Sequence, residues 1–232
     1  MSNKAAFSRG WLVVFEGVEG CGKTTQMKRS HDWLAHGDWW VPSADYESPP
    51  TILATREPGG TELGQGIRRI LLDPALTEPM QDRAELLLYA ADRAQHVEGV
   101  LKPELSQGTL ILCDRYTDST LAYQGYGRGI SLDLIDQINH IATAGLQSDL
   151  TLWLDVDAQI GLGRTHRRGP ADRMEQNDLE FHQRVQQGFR VIAKTNPHRV
   201  VQIDAARPEE DVFQTVQDVF RQYFRQWYSL QS

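Results

Sequence analysis

Five short apolar runs punctuate the chain: residues 11–15 (WLVVF), 51–54 (TILA), 109–113 (TLILC), 150–154 (LTLWL) and 199–203 (RVVQI). Each is continuous rather than alternating, the pattern of a strand covered on both faces, as in a parallel sheet. Longer stretches with helical spacing separate them. The order is therefore βαβα, which predicts a five-stranded parallel α/β sheet with helices on both faces and right-handed crossovers. Toward the C-terminus Phe213, Val216, Phe220, Tyr223 and Trp227 recur at steps of three and four. That spacing predicts a helix packed by one face on the body. Four runs end on or just before a polar residue: Glu16, Thr55, Asp114 and Asp155. Ligands of open α/β sheets gather beyond the carboxyl ends of strands, so chemistry is expected at these four positions.

Two segments break the rhythm. Residues 38–50 (DWWVPSADYESPP) read as a long connection, with Trp39, Trp40 and Tyr46 available to pack it down or to meet a partner. Residues 164–173 (RTHRRGPADR) carry Arg164, Arg167, Arg168 and Arg173 around a Gly-Pro break and read as a basic mobile loop. There is no internal repeat and no low-complexity tract.

Composition narrows the class. With 232 residues, one large domain is expected. A 40% hydrophobic share excludes a disordered chain, and 24 basic against 31 acidic residues, a net charge of −7, argue against coating nucleic acid or anionic lipid. Two cysteines, Cys21 and Cys113, make no disulfide scaffold and read as packing residues. The N-terminus has no apolar leader core and no run approaches a membrane span, so a soluble, cytoplasmic protein is expected.

The first run leads straight into Gly17-Val18-Glu19-Gly20-Cys21-Gly22-Lys23-Thr24, which satisfies G-x-x-x-x-G-K-[ST] in full. The glycines let backbone N–H groups turn inward as a nest for phosphate oxygens, and the helix that follows adds its N-terminal dipole. Lys23 is expected on the β- and γ-phosphates and the Thr24 hydroxyl on Mg²⁺. Asp114, at the end of the third run, is either a second metal-side carboxylate or a cap for the segment after it.

A phosphate cradle serves both switches and phosphotransferases. A guanine-type switch carries Asn-Lys-x-Asp late in the chain; the one Asn-Lys here is Asn3-Lys4, followed by Ala-Ala. A phosphotransferase needs arginines closing over a second anion site, because phosphoryl transfer is mostly positioning and charge neutralisation. Arginines stand in three such places: Thr55-Arg56-Glu57-Pro58-Gly59-Gly60-Thr61, Asp114-Arg115-Tyr116, and the basic loop, which reads as a closing lid. Tyr89 and Arg93 are four apart on one helical face, and Thr120, Tyr123 and Gln124 fall on another. Together they suit a flat polar base; separately each pair suits an ordinary half-buried helix face.

The stretches 15–26 (FEGVEGCGKTTQ), 55–61 (TREPGGT), 84–97 (AELLLYAADRAQHV), 114–129 (DRYTDSTLAYQGYGRG), 152–164 (LWLDVDAQIGLGR) and 172–185 (DRMEQNDLEFHQRV) together resemble the bacterial thymidylate kinase family. They occur in the family's order and cover most of the chain. The resemblance implies a P-loop nucleoside monophosphate kinase fold with a lid at about residues 161–176, usually a homodimer, converting dTMP and ATP to dTDP and ADP with Mg²⁺. It implies ATP contacts for Gly17, Val18, Glu19, Gly20, Cys21, Gly22, Lys23, Thr24 and Thr25, with Thr24 and Asp114 at the metal. It also implies Arg115 on the dTMP phosphate with Arg56 and Glu57 around it, and Glu19 near the sugar or phosphate. Tyr89 would stack near thymine, Arg93 would donate to its carbonyl, and Ser119, Thr120 and Gln124 would lie along the base. Tyr123 would crowd the sugar 2′ position. The cradle lacks an arginine, which fits the variant whose catalytic arginine sits in the lid; Arg164, Arg168 and Arg173 are equal candidates beside Lys23, Arg115 and Glu19. Asp204-Ala205 resembles the adenine-side loop. Another nucleotide or deoxynucleoside kinase is the alternative enzyme, and a nucleotide-dependent switch the alternative outside that class.

Overall fold

The computed structural model describes residues 9–37, 39–40, 48–165 and 171–228. Tyr46, Arg167 and Arg168 lie outside the described residues. Strands β1 (Trp11–Glu16), β2 (Ile52–Arg56), β3 (Leu110–Asp114), β4 (Leu150–Asp155) and β5 (Val200–Asp204) form one sheet in the order β2-β3-β1-β4-β5. All four pairings are parallel. The chain runs from β1 outward to β2, returns to β3, and then crosses β1 to β4. That places the topological switch at the carboxyl end of β1, with Phe15 opposite Asp114 of β3.

All five apolar runs are strands, but cover on both faces holds only for the three inner ones. In β2 no residue is fully buried, and in β5 Gln202 and Asp204 are exposed. The reason is position: these are the sheet edges, which flanking helices cover incompletely. In β1 alternate residues feed two cores. Val13 and Phe15 join Leu112, Leu152, Phe189 and Phe220 on one side. Leu12 and Val14 join Ile111, Val97, Leu101 and Tyr116 on the other.

Helix α1 (Lys23–His36) follows β1. Helix α2 (Glu62–Leu72) is capped by Thr61, whose hydroxyl accepts from Gly64 N at 2.9 Å. Helix α3 (Asp82–His96) passes through a π-helical turn (Val97–Leu101) into α4 (Lys102–Ser106). Helix α5 (Thr117–Thr120) runs into a second π-helical turn (Leu121–Gly127), and α6 (Leu132–Thr143) and α7 (Ala158–Thr165) follow. Arg164 is thus the end of a helix rather than part of a loop. Helix α8 (Leu179–Thr195) is capped by Asp178, and α9 (Glu209–Trp227) closes the fold. The buried face of α9 holds Val212, Phe213, Val216, Phe220 and Phe224. Trp227 instead stacks on Trp11 with ring centroids 4.5 Å apart. From the long connection, Trp39 packs on Phe224 at 4.3 Å and Trp40 is buried beside Tyr228.

Candidate active site

The glycine loop leaves β1 and enters α1 with its backbone pressed against another backbone. Gly20 has φ +69, and a Cβ there would lie 2.1 Å from the Gly161 carbonyl oxygen of α7. The contact is reciprocal, because a Cβ on Gly161 would lie 2.3 Å from Glu19 O. Only glycine fits either position. At the mouth of α1, Lys23 is buried and its Nζ donates to Gly17 O and Val18 O, both at 3.0 Å. Thr24 Oγ1 donates to Asp114 Oδ2 at 3.0 Å, joining the helix N-terminus to the end of β3.

Beside Asp114, Arg115 adopts φ +71, a left-handed conformation that a non-glycine residue holds only when its surroundings fix it. They do. Its backbone N donates to Phe15 O at 3.0 Å. Its Nη1 donates to Ser119 Oγ at 3.0 Å and Gly17 O at 3.2 Å, and its Nη2 to Glu19 Oε1 at 2.6 Å and Tyr123 OH at 3.1 Å. Tyr123 OH in turn donates to Glu19 at 3.0 Å. Burial by itself would raise the Glu19 carboxyl, but Arg115 and Lys23 hold it down at about 2. Beneath the turn, the fully buried Glu16 accepts from Tyr116 N at 2.9 Å, Ser119 N at 3.0 Å and Ser119 Oγ at 2.6 Å. Burial pushes its pKa up to about 7 against the opposing pull of Arg115.

A cavity opens from this turn toward α3, lined by Leu72, Tyr89, Arg93, Ser119, Thr120, Tyr123, Gln124 and Met174. Arg93 is buried and donates from Nε to Glu57 Oε2 at 2.8 Å, from Nη1 to Thr120 Oγ1 and Asn139 Oδ1 at 2.9 and 2.8 Å, and from Nη2 to Tyr116 O at 3.1 Å. Of its five N–H groups one on Nη2 stays uncommitted among the described residues. Glu57 also takes His96 Nδ1 at 2.9 Å, and Asp92 Oδ1 accepts from Gly59 N at 2.9 Å, so the 55–61 loop is tied down onto α3. A second cavity runs along the glycine loop past Gly22, Lys23, Thr24, Thr25, Arg56 and Asp114 to Arg164. Glu19, Glu57, Arg68, Arg115 and Asp172 border both.

Two anion-suited cavities that share Arg68 and Arg115 match the architecture expected of a phosphotransferase, and sequence comparison assigns the family: the family model described as thymidylate kinase matches residues 15–216. The chain belongs to the thymidylate kinase family. It is 53% identical to a thymidylate kinase of Cyanothece sp. (strain PCC 7425 / ATCC 29141), over 95% of this chain and 97% of that one. It is 52% identical to that of Nostoc punctiforme, over 93% and 98%. The crystal structure of thymidylate kinase from Ehrlichia chaffeensis superposes with a TM-score of 0.72 at 33% identity, covering 91% of this chain and 98% of that chain.

Within this thymidylate kinase fold, Glu19, Arg115, Tyr89, Arg93, Ser119, Thr120, Tyr123 and Gln124 share one cavity, and Lys23, Thr24, Thr25, Asp114 and Arg56 share the other. The three lid arginines part company. Arg164 Nη1 donates to Ala205 O at 3.4 Å, beside the loop after β5. Arg173 turns to the wall of the cavity beside α3, pairing with Glu85 at 2.6 Å and donating from Nε to Leu71 O at 2.7 Å. Arg168 lies outside the described residues. Glu57 faces Arg93 and His96 more than open space.

Arg68 joins these residues without a motif to mark it. It lies on α2 beside the buried Ile67, donates from Nη1 to Pro58 O at 2.9 Å, and borders both cavities. Burial and the nearby Arg56 lower its pKa. An arginine next to a core position, about two helical turns past the 55–61 loop, was the available signal. Among the described residues no group of three or more His, Cys, Asp or Glu gathers as for a transition metal. Thr24 Oγ1 and Asp114 supply hard oxygen donors, which suits Mg²⁺ shared with phosphates and water.

Proposed function

We propose that the chain transfers the γ-phosphoryl group of ATP to dTMP, giving dTDP and ADP, with ATP along the glycine loop and dTMP in the cavity between α3 and α5. The observation that carries this reading is the shared wall of Glu19, Glu57, Arg68, Arg115 and Asp172, which brings two phosphate-bearing ends to one place. Proximity of that kind converts a bimolecular step into an effectively unimolecular one.

On the donor side, Lys23 exchanges the carbonyls of its own loop for β- and γ-phosphate oxygens. A Mg²⁺ ion held at Thr24 and Asp114 would neutralise charge on the donor phosphates. On the acceptor side, Arg115 and Arg68 hold the dTMP phosphate, with Arg56 at the seam. That phosphate has a second pKa of ~6, so its attacking oxygen is already anionic and the site needs no general base. Glu19, ionised against Arg115, fixes the angle of the guanidinium rather than accepting a proton. Tyr89 stacks on the base and the uncommitted Arg93 N–H meets a ring carbonyl. Thr120 and Gln124 read the base edge, and Tyr123 fills the space a 2′-hydroxyl would need. Arg164 closes the donor side. Arg173, paired with Glu85, orders the base side.

The protein acts as a homodimer. Leu63 and Ile70 of α2, Leu87 of α3 and Leu134 and Ile141 of α6 are exposed apolar residues on neighbouring helices, which supports a covered face there. No helix among the described residues is long and apolar enough to cross a membrane, and Cys21 and Cys113 are free thiols. Both facts are compatible with work in the cytoplasm. Coupled ADP release with and without dTMP, dUMP and UMP tests the function. Release that depends on dTMP, is weaker with dUMP and is slight with UMP is expected; equal turnover of all three overturns the base and sugar assignments.

A further inference from the structure

A primary amide offers a ligand two opposite ends, a carbonyl that accepts and an NH₂ that donates. Gln124 lines the base cavity, so which end it turns inward decides which bases it can pair. The residue behind it settles the matter. Glu85 is buried and its Oε1 accepts from Gln124 Nε2 at 2.8 Å. Its Oε2 meets Arg173 Nη2 at 2.6 Å and Arg128 Nη2 at 3.3 Å. A carboxylate clasped by two guanidinium groups offers acceptors only, so it can take only the NH₂ end of Gln124. Turning the amide over would set two acceptor oxygens face to face in a buried site. The Gln124 carbonyl is thereby committed to the cavity side.

We propose that Glu85 is a positioning residue for base selection: by clamping the Gln124 amide it makes the site take pyrimidines with an N3–H and a C4 carbonyl and refuse those with a C4 amino group. The inference rests on the reading of Gln124 as a base-edge contact. A 4-oxopyrimidine offers its N3–H to Gln124 Oε1 and its C4 carbonyl to the uncommitted Arg93 N–H. A 4-aminopyrimidine offers an N3 lone pair to the same oxygen and an amino group to the same guanidinium, so donors meet donors and acceptors meet acceptors. With Glu85 present the amide cannot turn to relieve the mismatch. With Glu85 removed it can, and the amino ring regains a pair.

The test is kcat/KM for dTMP and for dCMP, with KM for ATP, in the parent and in Glu85→Ala, Glu85→Asp and Gln124→Ala. In Glu85→Ala the dTMP-to-dCMP ratio is expected to fall by about tenfold or more, the scale of one buried group released from mismatch. KM for ATP stays unchanged, and Glu85→Asp, which keeps a carboxylate, holds a ratio nearer the parent's. Equal losses on both substrates in Glu85→Ala make Glu85 a structural residue and overturn the proposal. If Gln124→Ala keeps the parent ratio, the base-edge reading itself is wrong. If Gln124→Ala loses the ratio while Glu85→Ala keeps it, the clamp alone is wrong. Should Glu85→Ala fail to fold, hydrogen exchange of the Gln124 side-chain amide in the ligand-free parent decides: protection of the NH₂ supports the clamp, and free exchange overturns it.

Discussion

Glu16 gives the fold a pH dependence that one substitution removes. Its carboxyl is fully buried at the end of β1, and burial lifts its pKa from 4.5 to about 7 despite Arg115 and the three donors it faces. Between those values the folded protein keeps a proton that the unfolded chain has released, so stability falls as pH rises through the window and levels off above it. The rise from 4.5 to about 7 corresponds to ~3 kcal/mol across the window. Glu16→Gln keeps an oxygen for the Tyr116 and Ser119 N–H groups but cannot titrate. Urea denaturation at pH 5, 6, 7 and 8 should therefore show a slope in the parent that is flattened in the variant. Asp92, lifted to about 6 chiefly by burial and by Glu57, adds a slope of the same sign to both proteins, so their difference isolates Glu16. Glu19 contributes the other limb: depressed to about 2, it stabilises above its unfolded pKa, and that stability is lost as pH falls toward 2. Parallel stability–pH curves for parent and Glu16→Gln would refute the reasoning.

Lys23→Ala is expected to lower kcat by about 10³ or more, because Lys23 is the one cation of the 17–24 loop. Thermal melting should barely move, since Lys23 Nζ bonds only to its own loop; measurable turnover near the parent's would remove the loop from the mechanism. Arg199→Met leaves the buried Asp118 without the guanidinium that meets it at 2.7 and 2.8 Å. A loss of about 3 kcal/mol or more, read as a fall in Tm of roughly 6 °C or beyond, is expected by calorimetry. A drop within scatter would mean the pair is neutral. Ile141→Glu places a charge on a side chain that is 79% exposed within the proposed dimer face, and light scattering should report a lighter species than the parent.

What the sequence disclosed and what it withheld divide along range of contact. The strands were legible because inner parallel strands are apolar without alternation, and the glycine loop because its chemistry sits within eight consecutive residues. Helix α9 was found from its spacing, yet Phe224 rather than Tyr223 carries the last buried turn; a 3.6-residue period drifts between the two after three turns. The pairing of Glu16 with Tyr116 spans a hundred positions, and that of Glu85 with Gln124 spans thirty-nine. Nothing in the local pattern marks either carboxylate as buried, since burial comes from packing that the topology creates. Arg68 was hidden for a related reason: one arginine of an Arg68-Arg69 pair on a helix reads as solvated until the loop before it folds back over α3. The basic run likewise looked uniform, whereas Arg164 and Arg173 serve opposite walls.

The paired glycines at positions 20 and 161 make a seam with backbone on both sides and nothing flexible between. Side-chain contacts tolerate small shifts by changing rotamer; this one has no rotamer to change. The spacing between the nucleotide loop and the first turn of α7 is therefore set by peptide geometry alone, and whatever displaces one backbone must displace the other. In sequence design the two sites form a single choice: a larger residue at either one is accommodated only by moving a helix, and neighbouring substitutions cannot absorb it.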